Sequence, residues 1–141
     1  MFWLFIEINN MTFKIFEYPI NIQPIDIDEQ NHVNNISYLK WVQEVAIAHW
    51  NSVATKEMNE QYMWVVSRHE IDYLKQAFIN TKLLAKTWVV EPDGAKSFRY
   101  VDIYDVETNN LIAKVKTTWY LLDFKTKRPR RIEADLVSIF A

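Results

Sequence analysis

The sequence contains no cysteine and a single glycine. Without cysteine there is no disulfide scaffold, no thiol nucleophile and no thiolate metal site. One glycine cannot build a dinucleotide-binding fingerprint or a phosphate-cradling loop, each of which needs several. An excess of positive charge is also missing. Sixteen Lys and Arg stand against 18 Asp and Glu, a net charge of −2, which argues against a nucleic-acid partner held by bulk cationic attraction. No apolar run approaches the roughly 20 residues needed to cross a bilayer. The apolar start, Met1–Ile8 (MFWLFIEI), is interrupted by Glu7 and lacks a basic n-region and a small-residue cleavage site, which argues against a signal peptide. Residues 1–11 are read as an N-terminal extension peripheral to the function, with an extra strand as the alternative. The chain therefore reads as cytoplasmic, with neither nucleic acid nor membrane as partner.

What is present is apolar material. Of 141 residues, 50% are hydrophobic and 15% aromatic, enough for one core and one domain over 1–141. Phe13–Tyr18 suits a short strand, stopped by Pro19. From Ile36 to about Ala54 turn formers vanish and a helical period sets in, with Asn34 or Asn35 as N-cap. On that helix Ser37, Lys40, Gln43, Glu44 and Asn51 form one polar stripe, and nearly everything else is apolar. A helix buried over about two thirds of its girth needs a curved sheet around it. The strands follow: Tyr62–Tyr73, Lys82–Glu91, Phe98–Val106 and Leu111–Asp123. Turns at Pro92-Asp93-Gly94 and Glu107–Asn110 separate the last three, which predicts an antiparallel meander. The expected class is α+β, an antiparallel sheet wrapped around one long central helix.

Chemically competent groups cluster in one place. Asp26, Asp28, Gln30, His32, Asn34 and Asn35 fall within ten residues, directly ahead of the helix start. First-turn amides are free donors at the positive end of the helix dipole and can polarise a carbonyl oxygen. A carboxylate beside them could attack an activated acyl group or deprotonate water.

The run Asp26-x-Asp28-x-x-x-His32-Val33-Asn34-Asn35-x-x-Tyr38 resembles the signature of hotdog-fold thioesterases, both the 4-hydroxybenzoyl-CoA thioesterase-like hydrolases and the plant acyl-ACP thioesterases. The resemblance extends over about Phe13 to Phe140, through His69–Ala77 and the closing Pro129–Val137. It implies a hotdog fold and hydrolysis of an acyl-CoA or acyl-ACP thioester, as in fatty acid metabolism, without metal or organic cofactor. It also implies a homodimer or homotetramer with active sites at the dimer interface. Asp28 matches the family's catalytic carboxylate, as nucleophile or general base. His32 matches the plant-type histidine, and Asn34 the asparagine that caps or orients. Gln30, Val33, Asn35 and Tyr38 are the candidate substrate-binding residues, the carbonyl being polarised by amides near Val33–Ile36.

Other readings stand beside this one. Asp26 is expected to shape the turn, Asn35 to cap and Tyr38 to pack. Glu44 is a reserve carboxylate, and His49 and His69 lack a partner at metal-ligand spacing. The basic run Lys125–Arg131 is either a solvated connection or a clamp for the phosphates of the thiol carrier. Gln30 stands where the plant enzymes have asparagine, and their further acidic residue falls near Gln76. Both departures support the alternative function, a non-catalytic hotdog module that binds an acyl thioester or a partner protein. A hotdog dehydratase is a third reading.

Overall fold

The computed structural model describes residues 4–8 and 11–140. Six strands form one sheet: β1 (Leu4–Ile8), β2 (Met11–Ile20), β3 (Tyr62–Tyr73), β4 (Leu83–Val89), β5 (Lys96–Asp105) and β6 (Leu111–Asp123). Their spatial order is β1-β2-β4-β5-β6-β3, and every neighbouring pair is antiparallel. The expected meander is β4-β5-β6. The long helix α1 (Asn35–Val53) and the short α2 (Lys56–Gln61) carry the chain from β2 to β3, at the far edge of the sheet.

The bounds of β3 and β6 coincide with the sequence expectation, because polar turns bracket both and Val, Thr and aromatic residues fill them. Two expectations at the N-terminus give way. Leu4–Ile8 pairs with Met11–Ile15 as a strand, the alternative reading for that stretch. Pro19 does not end β2, which continues to Ile20 with Pro19 opposite Leu84. The described part of β1 reaches only Ile15, so among the described residues the strand is bonded on one side at Pro19 and a missing N–H is tolerated there. Helices α2 and α3 (Ala134–Ser138) were not anticipated; five or six residues carry too little periodicity to read.

The core lies between α1 and the concave face of the sheet. Tyr38, Trp41, Val42 and Val45 of α1 pack against Ile20 of β2, Ala85 of β4, Val101 and Ile103 of β5 and Val115 of β6. Val42, Val45, Val101 and Ile103 are fully buried, each contributing on the order of 1.5–3 kcal/mol of hydrophobic stabilisation. Strands β2, β4, β5 and β6 packed around most of the helix explain its wide apolar girth, and the result is the hotdog arrangement. The polar stripe is only partly solvated. Lys40, Gln43, Glu44 and Asn51 are exposed, whereas Ser37 is buried, and Ile36 and Ile47 are exposed in its place. A smaller cluster closes the other end, where Leu121, Ile132 and Leu136 pack with Trp50 and Trp64. Among the described residues no helix is long and apolar enough to cross a membrane.

Candidate functional site

The segment between β2 and α1 is held by one buried carboxylate. Asp26 ends a single 3-10 turn, Pro24–Asp26, and is 1% exposed. Its Oδ2 accepts from the Gln23 amide at 2.8 Å, and its Oδ1 accepts from the Ser37 hydroxyl at 2.8 Å and the Lys40 ammonium at 3.0 Å. Its carbonyl accepts from the Asn34 amide at 2.8 Å. Burial pushes this carboxyl up, but the donors on Gln23, Ser37 and Lys40 outweigh it and hold the group below its ordinary value. The expected turn-shaping role has a concrete form: Asp26 fastens the loop to the first two turns of α1.

From that anchor the chain doubles back. Ile27 bridges Val33, and the Asp28 amide donates to the His32 carbonyl at 3.0 Å. The reversal needs Asn31 in the left-handed region at φ 67°, which asparagine tolerates better than most side chains. Asp28 and His32 are thereby brought together, with His32 Nδ1 3.5 Å from Asp28 Oδ2. The other oxygen, Oδ1, accepts from the Gln30 amide at 2.9 Å. Gln30 thus contributes its backbone to the carboxylate, and its side chain is exposed. Asp28 is 32% exposed along its side chain and His32 20%, so both stand at the surface of the loop without pointing freely into solvent.

The helix start corrects one expectation. Asn34 is the N-cap, its Oδ1 accepting from the Ser37 amide at 3.0 Å. Val33, expected to supply a polarising amide, instead donates to the Ala77 carbonyl at 2.8 Å, because its side chain is drawn into the core and aligns its backbone with the segment after β3. With Asn34 and Ser37 also engaged, the amides of Asn35 and Ile36 remain as first-turn donors without an acceptor among the described residues. Asn35 has its carbonyl fixed by the Tyr73 hydroxyl at 3.3 Å. Tyr38 is 3% exposed and packs edge-on to Trp41 and Tyr73. Burial, helped by Tyr73, pushes its phenol up to about 12, which keeps it neutral.

The remaining candidates lie elsewhere. Gln76 is exposed beside Ala77, so an amide, not a carboxylate, flanks the loop there. Glu44 is solvent-exposed on α1. The basic run follows β6, whose end pairs with the start of β3. Asp28 lies beyond the other end of β3, roughly 40 Å of strand away, so within one chain the run does not flank Asp28. Arg130 pairs with Asp123 at 3.3 Å, and Lys127 sits 4.0 Å from the centre of the Phe124 ring. His69 bonds Thr117 at 2.8 Å, and among the described residues no three His, Asp or Glu side chains converge as a metal site.

A cavity of about 570 Å³ opens between the middle of α1 and the inner face of β3, β5 and β6, and Asp28 does not line it. It contains a buried Arg99 that the sequence reading passed over. The signal was available, since Arg99 is in phase with Val101 and Ile103, the inward positions of β5.

The family model for the acyl-ACP thioesterase N-terminal domain matches residues 11–140. No curated protein matches the chain in sequence. The fold is that of a 1,4-dihydroxy-2-naphthoyl-CoA thioesterase from Synechocystis, at 14% identity and a TM-score of 0.78, covering 89% of this chain and 95% of that one. A thioesterase from Thermus thermophilus, solved with coenzyme A and zinc, superposes at 17% identity and a TM-score of 0.76, over 88% and 90% of the two chains. The 12:0-ACP thioesterase of Umbellularia californica gives 17% identity and a TM-score of 0.77, covering 90% of this chain but 51% of that one. This chain therefore spans about half the length of the plant enzyme.

The Asp26 network has a defined pH signature. Its native carboxyl sits below the ordinary 3.8, so its stabilisation is complete above the unfolded-state value and is lost as pH falls through the lower native one. Asp26→Asn is expected to cost about 1.5–3 kcal/mol at pH 7. Urea unfolding of both proteins from pH 7 to pH 2.5 checks this: the gap should narrow only below about pH 4. A gap independent of pH contradicts it.

Proposed function

The chain belongs to the family of acyl-ACP thioesterase N-terminal domains, and on that premise we propose that it hydrolyses an acyl-CoA or acyl-ACP thioester with Asp28 as the catalytic carboxylate. The observation that carries the reading is the conjunction of Asp28 and His32 at 3.5 Å with two unengaged amides, Asn35 and Ile36, at the start of α1. The thioester oxygen accepts from those amides, which stabilise the negative charge it gains when the carbonyl carbon becomes tetrahedral. Asp28 either attacks that carbon directly, giving an anhydride that water then opens, or takes a proton from the water that attacks it. In both routes the carbon–sulfur bond breaks, the thiolate leaves and picks up a proton, and the free acid remains. His32 orients the Asp28 carboxylate and the carbonyl, and Asn34 keeps the first turn in register through its cap. No step calls for a metal or an organic cofactor.

A second copy of the chain completes the site in this reading. β3 is an edge strand of twelve residues. Around the Asp28 loop Ile25, Ile36, Leu74 and Phe78 are each at least half exposed, an apolar rim suited to burial against another subunit or an acyl chain. The expected assembly is a homodimer, or two dimers paired as a tetramer. Light scattering should give two or four times the 16.9 kDa chain mass; a monomer at micromolar concentration sinks this part of the reading.

One observation favours a second reading. Asp28 does not line the 570 Å³ cavity, which suits a module that binds an acyl thioester, or a partner protein, without turning it over. Thiol release from a panel of acyl-CoAs and acyl-ACPs separates the two. Hydrolysis is expected in the wild type, with kcat reduced by about 10²–10⁴-fold in Asp28→Asn and by less in His32→Ala. Binding without release at any chain length supports the module. Undiminished turnover in Asp28→Asn removes the assignment of the carboxylate.

A further inference from the structure

The cavity beside α1 has an unusual interior. Ala46, Ile47 and Trp50 of α1 form one wall, and Trp64, Trp119 and Arg99 of the sheet form another. The exposed Ile47 and Val65 mark its mouth. Its volume of about 570 Å³ falls within the range of small-molecule pockets, roughly 300–1,000 Å³.

Arg99 is 5% exposed; its Nη1 donates to His49 Nδ1 at 2.9 Å and to Thr87 Oγ1 at 2.9 Å, and its guanidinium lies over the Phe140 ring at 5.7 Å. Neither partner carries negative charge. Burial, with the charges of Arg99 and Lys14 nearby, pulls His49 down to about 3, so its ring is neutral and accepts through Nδ1. Thr87 passes its own hydroxyl hydrogen to the Tyr100 carbonyl at 2.8 Å. Among the described residues no carboxylate pairs with Arg99. Burial lowers Arg99 only to about 9, so it is charged at neutral pH. A buried guanidinium without a counter-charge is strongly disfavoured unless something supplies one. A second observation points the same way. The indole N–H groups of Trp64 and Trp119, whose rings line the cavity, are buried with no acceptor among the described residues, as is that of Trp88 outside it.

We propose that this cavity binds an apolar chain ending in a carboxylate, with the carboxylate on the Arg99 guanidinium and the chain along the aromatic wall. Water or an alcohol could accept from the tryptophan N–H groups but would leave the charge uncompensated. A carboxylate supplies the counter-charge, and its planar pair of oxygens matches the guanidinium fork. Apart from Gln43, Asn59, Ser97 and the Tyr62 hydroxyl, the rest of the wall is apolar, which favours a hydrocarbon tail over a sugar or nucleotide. The carboxylate has two possible sources: a free fatty acid, or the far end of a dicarboxylic acyl thioester.

Decanoate and decanol, titrated at pH 7 against the wild-type chain with calorimetry and tryptophan fluorescence as readouts, test the site without any turnover. Decanoate should bind at least about tenfold tighter, and Arg99→Met, checked for folding by circular dichroism, should erase the difference. Equal affinities in the wild type overturn the proposal whether or not the variant folds. A preference that persists in folded Arg99→Met overturns it as well. Comparing kcat/KM for hexadecanedioyl-CoA and hexadecanoyl-CoA, whose chains can span the roughly 20 Å of helix between Ile36 and His49, then assigns the source. Preference for the first gives the carboxylate to the acyl group, and no preference gives it to the free acid. Because the binding comparison needs no hydrolysis, its failure is distinguishable from failure of the thioesterase reading.

Discussion

The Asp26 carboxylate is the constraint on which the candidate site depends. With both oxygens engaged on Gln23, Ser37 and Lys40, it fixes an irregular loop against the beginning of a regular helix. Everything chemically competent follows within the next ten residues: the reversal at Asn31, the approach of His32 to Asp28, and the cap at Asn34. A carboxylate buried this deeply is tolerable only because every donor around it is aimed at it. Asp28, two residues on, has an exposed edge and a histidine neighbour instead. Two aspartates in one motif thus differ in setting, one buried and holding the loop, the other partly exposed beside His32.

The fold explains why the site lies at a rim. The central helix is covered along most of its length by β2, β4, β5 and β6, so only its ends and one narrow face can meet a substrate. At the N-terminal end the donors of Asn35 and Ile36 coincide with exposed apolar side chains, Ile36 and Phe78 among them. That combination of polar donors in an apolar rim suits a reacting carbonyl attached to a hydrocarbon chain. Midway along, the same helix and the sheet leave a cavity whose polar end is Arg99.

Much of this was legible in the sequence, for identifiable reasons. The wide apolar girth of residues 36–54 predicts a wrapped helix, and the helix is found at Asn35–Val53. Alternation bounded by Pro92-Asp93-Gly94 and Glu107–Asn110 predicts the meander, with Gly94 and Asn109 taking the positive φ their turns need. What was not legible depends on pairing across the chain. Nothing local announces that Ala77 will take the Val33 amide, or that Ser37, drawn in a polar stripe, will turn inward to Asp26. The strand Leu4–Ile8 is ambiguous by itself, since a short apolar run becomes a strand only through the partner it finds. Arg99 was readable in principle from its phase on β5, but its isolation from carboxylates is a three-dimensional fact.

The central claim is that the thioester carbonyl sits on the unengaged amides at the start of α1, beside Asp28. Backbone amide chemical shifts, recorded as the protein is titrated with a non-hydrolysable ketone analogue of an acyl-CoA, test it most directly. The account expects the largest changes at Asn35 and Ile36, with the Val33 amide unmoved because Ala77 already holds it. Saturable binding that leaves Asn35 and Ile36 unshifted would contradict it.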